Sequence, residues 1–111
     1  MMKAENLLED LRDFQEKQGY FFNRDRELTL DLLDGLLQNR ERYGYMSCPC
    51  RLASGSYDND RDIICPCEYR EQDVREYGSC YCNLYVAENY TKDGDSEVVV
   101  PERRPVEKIL I

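Results

Sequence analysis

Residues 48–82 read CPCRLASGSYDNDRDIICPCEYREQDVREYGSCYC and hold all six cysteines of a 111-residue chain. They form three pairs with one residue between partners: Cys48-Pro49-Cys50, Cys65-Pro66-Cys67 and Cys80-Tyr81-Cys82. Fourteen residues separate the first pair from the second, and twelve separate the second from the third. In extended chain, cysteines one residue apart have Cα atoms roughly 6 to 7 Å apart, at the far edge of disulfide geometry. Proline inside two of the pairs holds φ near about −65° and biases the preceding cysteine towards extended backbone, which discourages bridging within a pair. Each pair is therefore expected to reach outward to a shared centre. Four thiolates complete the ligand set of an iron-sulfur cluster, and two left over form a dithiol that can be oxidised beside it. Spacing alone does not say which four.

The length fits a single domain over residues 1–111 with a modest core. Hydrophobic residues are 41% and charged residues 34%, which describes a folded domain with a charged surface, not a disordered tail. A formal charge of −8 disfavours nucleic acid, whose affinity rests on Lys and Arg neutralising phosphates. No run approaches the roughly 18 apolar residues of a membrane span. Met1-Met2-Lys3-Ala4-Glu5 leads into charged sequence without the apolar core of an export signal, so the expectation is a cytoplasmic, reducing setting. Thiols there serve metal binding or catalysis better than a static disulfide framework.

Upstream of the cysteines, Leu7, Leu8, Leu11 and Phe14 recur at helical spacing within residues 3–18, and Gly19 supplies a stop. Tyr20-Phe21-Phe22 reads as an aromatic cluster packed on the next helix. Asn23 or Asp25 can cap a second helix running to about Arg42, with Leu28, Leu32, Leu33, Leu36 and Leu37 on one stripe and Gly44 ending it. Between the first two pairs, Ser54-Gly55-Ser56 predicts a turn and Asp58 to Asp62 a short helical segment. The alternating acids are not a calcium loop, since counting from Asp58 puts Ile63 and Tyr69 where an EF-hand needs glycine and glutamate. Glu68 to Tyr77 reads as a polar helix closed by Gly78, with Glu71 and Arg75 paired along it. Leu84 to Ala87 is short and apolar, and a small hairpin is expected around Lys92-Asp93-Gly94-Asp95, with Glu97 to Val100 as its second arm. The tail from Arg104 carries no readable pattern.

Three such pairs in this order, with Arg51 after the first, Leu84 and Tyr85 after the last and a leucine-rich helix before them, resemble the catalytic subunit of ferredoxin:thioredoxin reductase. The resemblance covers roughly residues 20 to 90. It differs at the last pair, where the family has Cys-His-Cys and this chain has Tyr81 and no histidine, so another group must move protons. The first loop is also shorter and the second longer than in the plant type, which points to a relative from another lineage.

The resemblance implies a mainly α fold: one small domain of short helices wrapped around a 4Fe-4S cluster, with a minor C-terminal hairpin. It implies Cys48, Cys65, Cys67 and Cys80 as cluster ligands and Cys50 with Cys82 as the redox-active disulfide. It implies a ferredoxin or similar one-electron donor, a thioredoxin-like protein disulfide as target and, as in plant-type members, a second noncatalytic subunit. In the family's mechanism Cys82 is retained at the cluster after one electron while Cys50 attacks the target. Arg51 is placed to favour the Cys50 thiolate, and Tyr81 to pack over the cluster or disulfide. An acidic donor must dock on a locally basic patch, for which Arg51, Arg70, Arg75, Arg103 and Arg104 are the candidates. The alternatives are a zinc-binding interaction module and a simple iron-sulfur electron-transfer protein.

Overall fold

Two leucine-bearing helices set the frame. In the computed structural model, which describes residues 2–90 and 99–109, helix α1 spans Ala4–Lys17 and helix α2 spans Arg26–Tyr43. Asp25 accepts a hydrogen bond from the Leu28 amide and so satisfies one of the free N–H groups of the first turn of α2. Gly44 ends that helix at φ 88°, a left-handed conformation that costs glycine little. Leu7 and Leu8 of α1 pack against Leu32, Leu33 and Leu36 of α2, and Cys80, Leu84 and Tyr85 close the same core. Leu33 and Leu36 have no exposed surface, so the burial of each contributes on the order of 2 kcal/mol.

Phe14 does not join that core. It is 62% exposed, and the buried position on α1 is instead Gln15, whose Oε1 accepts a hydrogen bond from Arg70 at 2.6 Å. The aromatic cluster also differs from expectation. Phe21–Phe22 is a strand, β1, paired antiparallel with β2, Tyr85–Val86, in the register Phe21 to Val86 and Phe22 to Tyr85. The Phe22 and Tyr85 rings lie 5.0 Å apart.

The remaining elements are short. Helix α3 covers Tyr57–Asp60 and runs into a 3-10 turn at Arg61–Ile63, helix α4 covers Arg70–Tyr77, and helix α5 covers Val106–Ile109. The fold is mainly α with one small two-stranded sheet. The hairpin expected around Lys92–Asp95 lies outside the described residues.

The acids of the first loop, between the first and second cysteine pairs, serve as acceptors for neighbouring donors. Asp60 accepts from the Tyr45 hydroxyl and from the Ser54 and Gly55 amides, while Asp62 accepts from the Tyr69 hydroxyl and from Arg104. The tail that carries no readable pattern is a strap across the cysteine region. Glu102 pairs with Arg51, Arg103 with Asp73 and Glu76, and Arg104 with Asp62, so three consecutive residues tie three different segments together.

Candidate functional site

Short backbone pairings align the cysteine segments. The Cys48 amide donates to the Ile63 carbonyl and the Cys65 amide to the Met46 carbonyl, both at 2.8 Å, so the approaches to the first and second pairs run side by side and antiparallel. The third pair is drawn in from the other side. Cys80 N–H donates to the Tyr85 carbonyl at 2.9 Å, and Asn83 at φ 66° reverses the chain between them.

The pairs are turned, not extended. The carbonyl of Cys48 accepts from Arg51 N–H at 3.2 Å, and that of Cys80 from Asn83 N–H at 2.9 Å, so the first and last pairs open equivalent tight turns. In each turn the first thiol is buried and the second lies further out. Cys48 and Cys80 are both 4% exposed, whereas Cys50 is exposed and Cys82 half-buried. The turn also brings the sulfurs of Cys80 and Cys82 to 3.8 Å. Proline at position 49 is held from behind by α2. A Cβ added to Gly35 would stand 2.9 Å from the Pro49 Cβ, so only glycine lets the helix approach the ring so closely.

One cavity is lined by Cys48, Cys65, Cys67, Cys80 and Cys82 together with Arg51, Arg70, Tyr81 and Tyr85. The space between these side chains is about 10 Å³, so the convergence of thiols, not a preformed hole, marks the site. Among the described residues no three His, Cys, Asp or Glu side chains are arranged to hold a single metal ion. Thiolates are the ligands that hold iron-sulfur clusters, and five of the six cysteines line this one cavity, so its donor chemistry fits such a group. All six cysteines are free thiols.

Cys50 lies outside that lining. The neighbouring thiols, Cys48 foremost and then Cys82, lower its pKa to about 4. The neighbouring thiols of Cys48, Cys50 and Cys80, with burial, raise Cys82 well above the usual thiol range. Burial pushes Cys65 and Cys67 up as well.

Arg51 reaches the second cysteine pair as well as the first. Its Nη1 points to Cys67 Sγ at 3.5 Å, its side chain is 2% exposed, and its guanidinium lies 4.4 Å from the Tyr81 ring and 5.2 Å from that of Tyr69. Its charge also lowers the Cys50 thiol, as expected, though less than the neighbouring thiols Cys48 and Cys82 do. Tyr81 packs at the cavity through this contact. Arg70 is buried between the rings of Tyr20 and Tyr85, at 3.7 and 4.7 Å, and also lines the cavity. Arg51, Arg70 and Arg104 therefore face inward, Arg103 is held by two acids, and Arg75 pairs with Glu71. The five arginines do not form the basic docking patch expected of them.

The family model described as ferredoxin thioredoxin reductase catalytic beta chain matches residues 2–107. The chain belongs to that family. Members of the ferredoxin thioredoxin reductase catalytic chain family are oxidoreductases by name, and the relatives carry the same description. The chain is 32% identical over 101 residues to the catalytic chain of Porphyra purpurea, covering 77% of this chain and 79% of that one. It is 28% identical over 109 residues to that of Cyanidium caldarium, covering 89% and 91%. The Arabidopsis thaliana relative, named chloroplastic, is 26% identical over 109 residues, covering 89% and 69%. Among the described residues, no helix is long and apolar enough to cross a membrane.

Proposed function

We propose that this family member is a ferredoxin-dependent reductase of a thioredoxin-like protein disulfide, with Cys50 and Cys82 as its redox-active pair. Cys48, Cys65, Cys67 and Cys80 would hold a 4Fe-4S cluster. The observation that carries the reading is the convergence of the three pairs: Cys48, Cys65, Cys67, Cys80 and Cys82 line one cavity, and Cys50, in the same turn as Cys48, is the exposed thiol. When bound, the cluster supplies a store for one electron between successive single-electron deliveries.

The chain's own thiols perform the exchange. Cys50 is the exposed member of the pair, so its sulfur is the one that meets a protein disulfide. It attacks one sulfur of the target, a mixed disulfide forms, and the target's other sulfur leaves as a thiolate and takes a proton. Cys82 then attacks Cys50 Sγ, which releases the second target thiol and leaves a Cys50–Cys82 disulfide. Two electrons and two protons restore the pair. Burial of Cys82 beside Cys50 favours resolution over release of the mixed disulfide, because the resolving thiol is already within reach. The setting of this reading is the reducing cytoplasm, which keeps cysteines as thiols.

Iron, acid-labile sulfide and zinc assays on protein purified without oxygen test the reading. About four iron and four sulfide per chain with a broad brown absorption band support it, and stoichiometric zinc in a colourless protein refutes it in favour of a zinc module. The presence of a noncatalytic companion subunit is read from the mass of the purified complex.

A further inference from the structure

A chain of net charge −8 repels an acidic electron donor unless it presents a local cationic face. Such a hollow lies among the described residues, away from the thiols. It is a groove of about 320 Å³ lined by Arg12 of α1, by Phe21 and Phe22 of β1, by Arg24, and by Arg26 at the start of α2. Glu16 is the only acid of its lining among the described residues, and Asp25, between two of the arginines, caps α2. Arg12, Arg24 and Arg26 are exposed and form no ion pair among the described residues. Two other hollows of similar size carry the opposite balance, one with Asp34 and Glu41 against Arg40, the other with Glu5, Asp31 and Asp34 against Lys3.

The floor of the basic groove leads to the thiols. Phe22 lines the groove, and its ring lies 5.0 Å from that of Tyr85, which lines the cysteine cavity. The Tyr85 amide donates to Cys80 Sγ at 3.3 Å. A carrier seated over Phe22 is thus one pair of packed rings away from the redox site.

We propose that the groove between Arg12, Arg24 and Arg26 is the docking surface for a small, strongly acidic one-electron carrier protein. The inference rests on the reductase reading above and adds the place where the donor binds. Each encounter oxidises the donor's iron-sulfur centre by one electron. Two encounters and two protons convert one Cys50–Cys82 disulfide to two thiols. The arginines steer approach through a field that salt screens within about 10 Å at 0.1 M.

The test titrates the holoprotein with a strongly acidic 2Fe-2S ferredoxin and measures the dissociation constant from low to high salt. The triple variant Arg12→Gln, Arg24→Gln, Arg26→Gln is expected to bind about tenfold more weakly at low salt and to lose most of the salt dependence. A control with the same change in net charge, Arg40→Gln, Arg42→Gln, Arg61→Gln, is expected to shift the constant by less than about threefold. Unchanged binding in the groove variant, or an equal loss in the control, overturns the proposal, as does failure of the unmodified protein to bind the ferredoxin. Dithionite in place of ferredoxin separates the two readings. Disulfide cleavage driven by dithionite in the groove variant keeps the reductase reading whatever the binding result, and its absence in the unmodified protein sinks that reading on its own.

Discussion

Arg51 and Glu102, 51 positions apart in the chain, are joined through two guanidinium nitrogens. Nε donates to both carboxylate oxygens, at 3.1 and 2.8 Å, and Nη2 donates to Oε1 at 2.7 Å. Through this pair the C-terminal strap holds the cation that touches Cys67 and Tyr81. Glu102→Ala leaves a guanidinium buried without its counter-charge. Losing one partner of a fully buried pair costs roughly 3 to 5 kcal/mol, and because Glu102 is 25% exposed the expected loss is about 2 kcal/mol. Urea unfolding measures it, and a loss below about 0.5 kcal/mol would mean that the strap does not anchor Arg51.

Asp62 makes part of the stability dependent on pH. Burial alone would raise its pKa, but Arg104 and the Tyr69 hydroxyl outweigh that and hold the carboxyl below its usual range. The folded state therefore takes up this proton less readily than the unfolded chain. Its contribution is complete above about pH 4 and is lost as pH falls through the lower folded value. Asp62→Asn lowers stability at pH 7 and flattens the fall in urea midpoint between about pH 5 and pH 3. Parallel pH curves for the two proteins would rule this out.

Gly35 gives a prediction opposite in sign to helix propensity. Alanine in mid-helix ordinarily adds roughly 1 kcal/mol over glycine. Here the new methyl would meet Pro49 at 2.9 Å and must displace the ring between Cys48 and Cys50. Gly35→Ala is expected to lower both the melting temperature and the iron bound per chain. Full iron with a raised melting temperature would show that Pro49 yields freely.

The cysteine roles separate by colour and turnover. Cys50→Ser is expected to keep the brown absorption while disulfide reduction falls at least about a thousandfold, because the nucleophile is gone. Cys65→Ser is expected to lose iron and sulfide together. Loss of the chromophore in Cys50→Ser would overturn the assignment of ligands.

Tyr81 stands where the family has histidine, and its hydroxyl has no hydrogen-bond partner among the described residues, whereas its ring packs under Arg51. Tyr81→Phe keeps the ring and removes that side chain's titratable proton. Turnover within about twofold of the unmodified protein, with the same pH profile, is the expected result. A loss of tenfold or more would assign proton transfer to the phenol.

The leucine stripe of α2, the cap at Asp25 and the stop at Gly44 were readable because they are local: a period, a side chain three residues from the amide it caps, a backbone angle glycine favours. The cysteine pairs were readable because their chemistry lies in residue type and spacing. Other features depended on residues far apart in the chain. The pairing of Phe21–Phe22 with Tyr85–Val86 joins segments more than sixty residues apart, and two-residue strands are too short to show alternation. The burial of Gln15 in place of Phe14 follows from Arg70, which approaches from α4. A glycine within the leucine stripe was the one local sign of the Pro49 contact.

By itself the sequence determined the mainly α frame, the grouping of six thiols and the family, since each follows from periodicity, composition or a fixed motif. Only the tertiary structure decided the inward commitment of Arg51, Arg70 and Arg104, the strap that holds Arg51 and carries Arg104, and the groove of exposed arginines on the other side of Phe22. The physical reason is that a charge has no intrinsic destination. Whether an arginine meets a carboxylate, an aromatic face or water depends on which distant segments folding brings beside it.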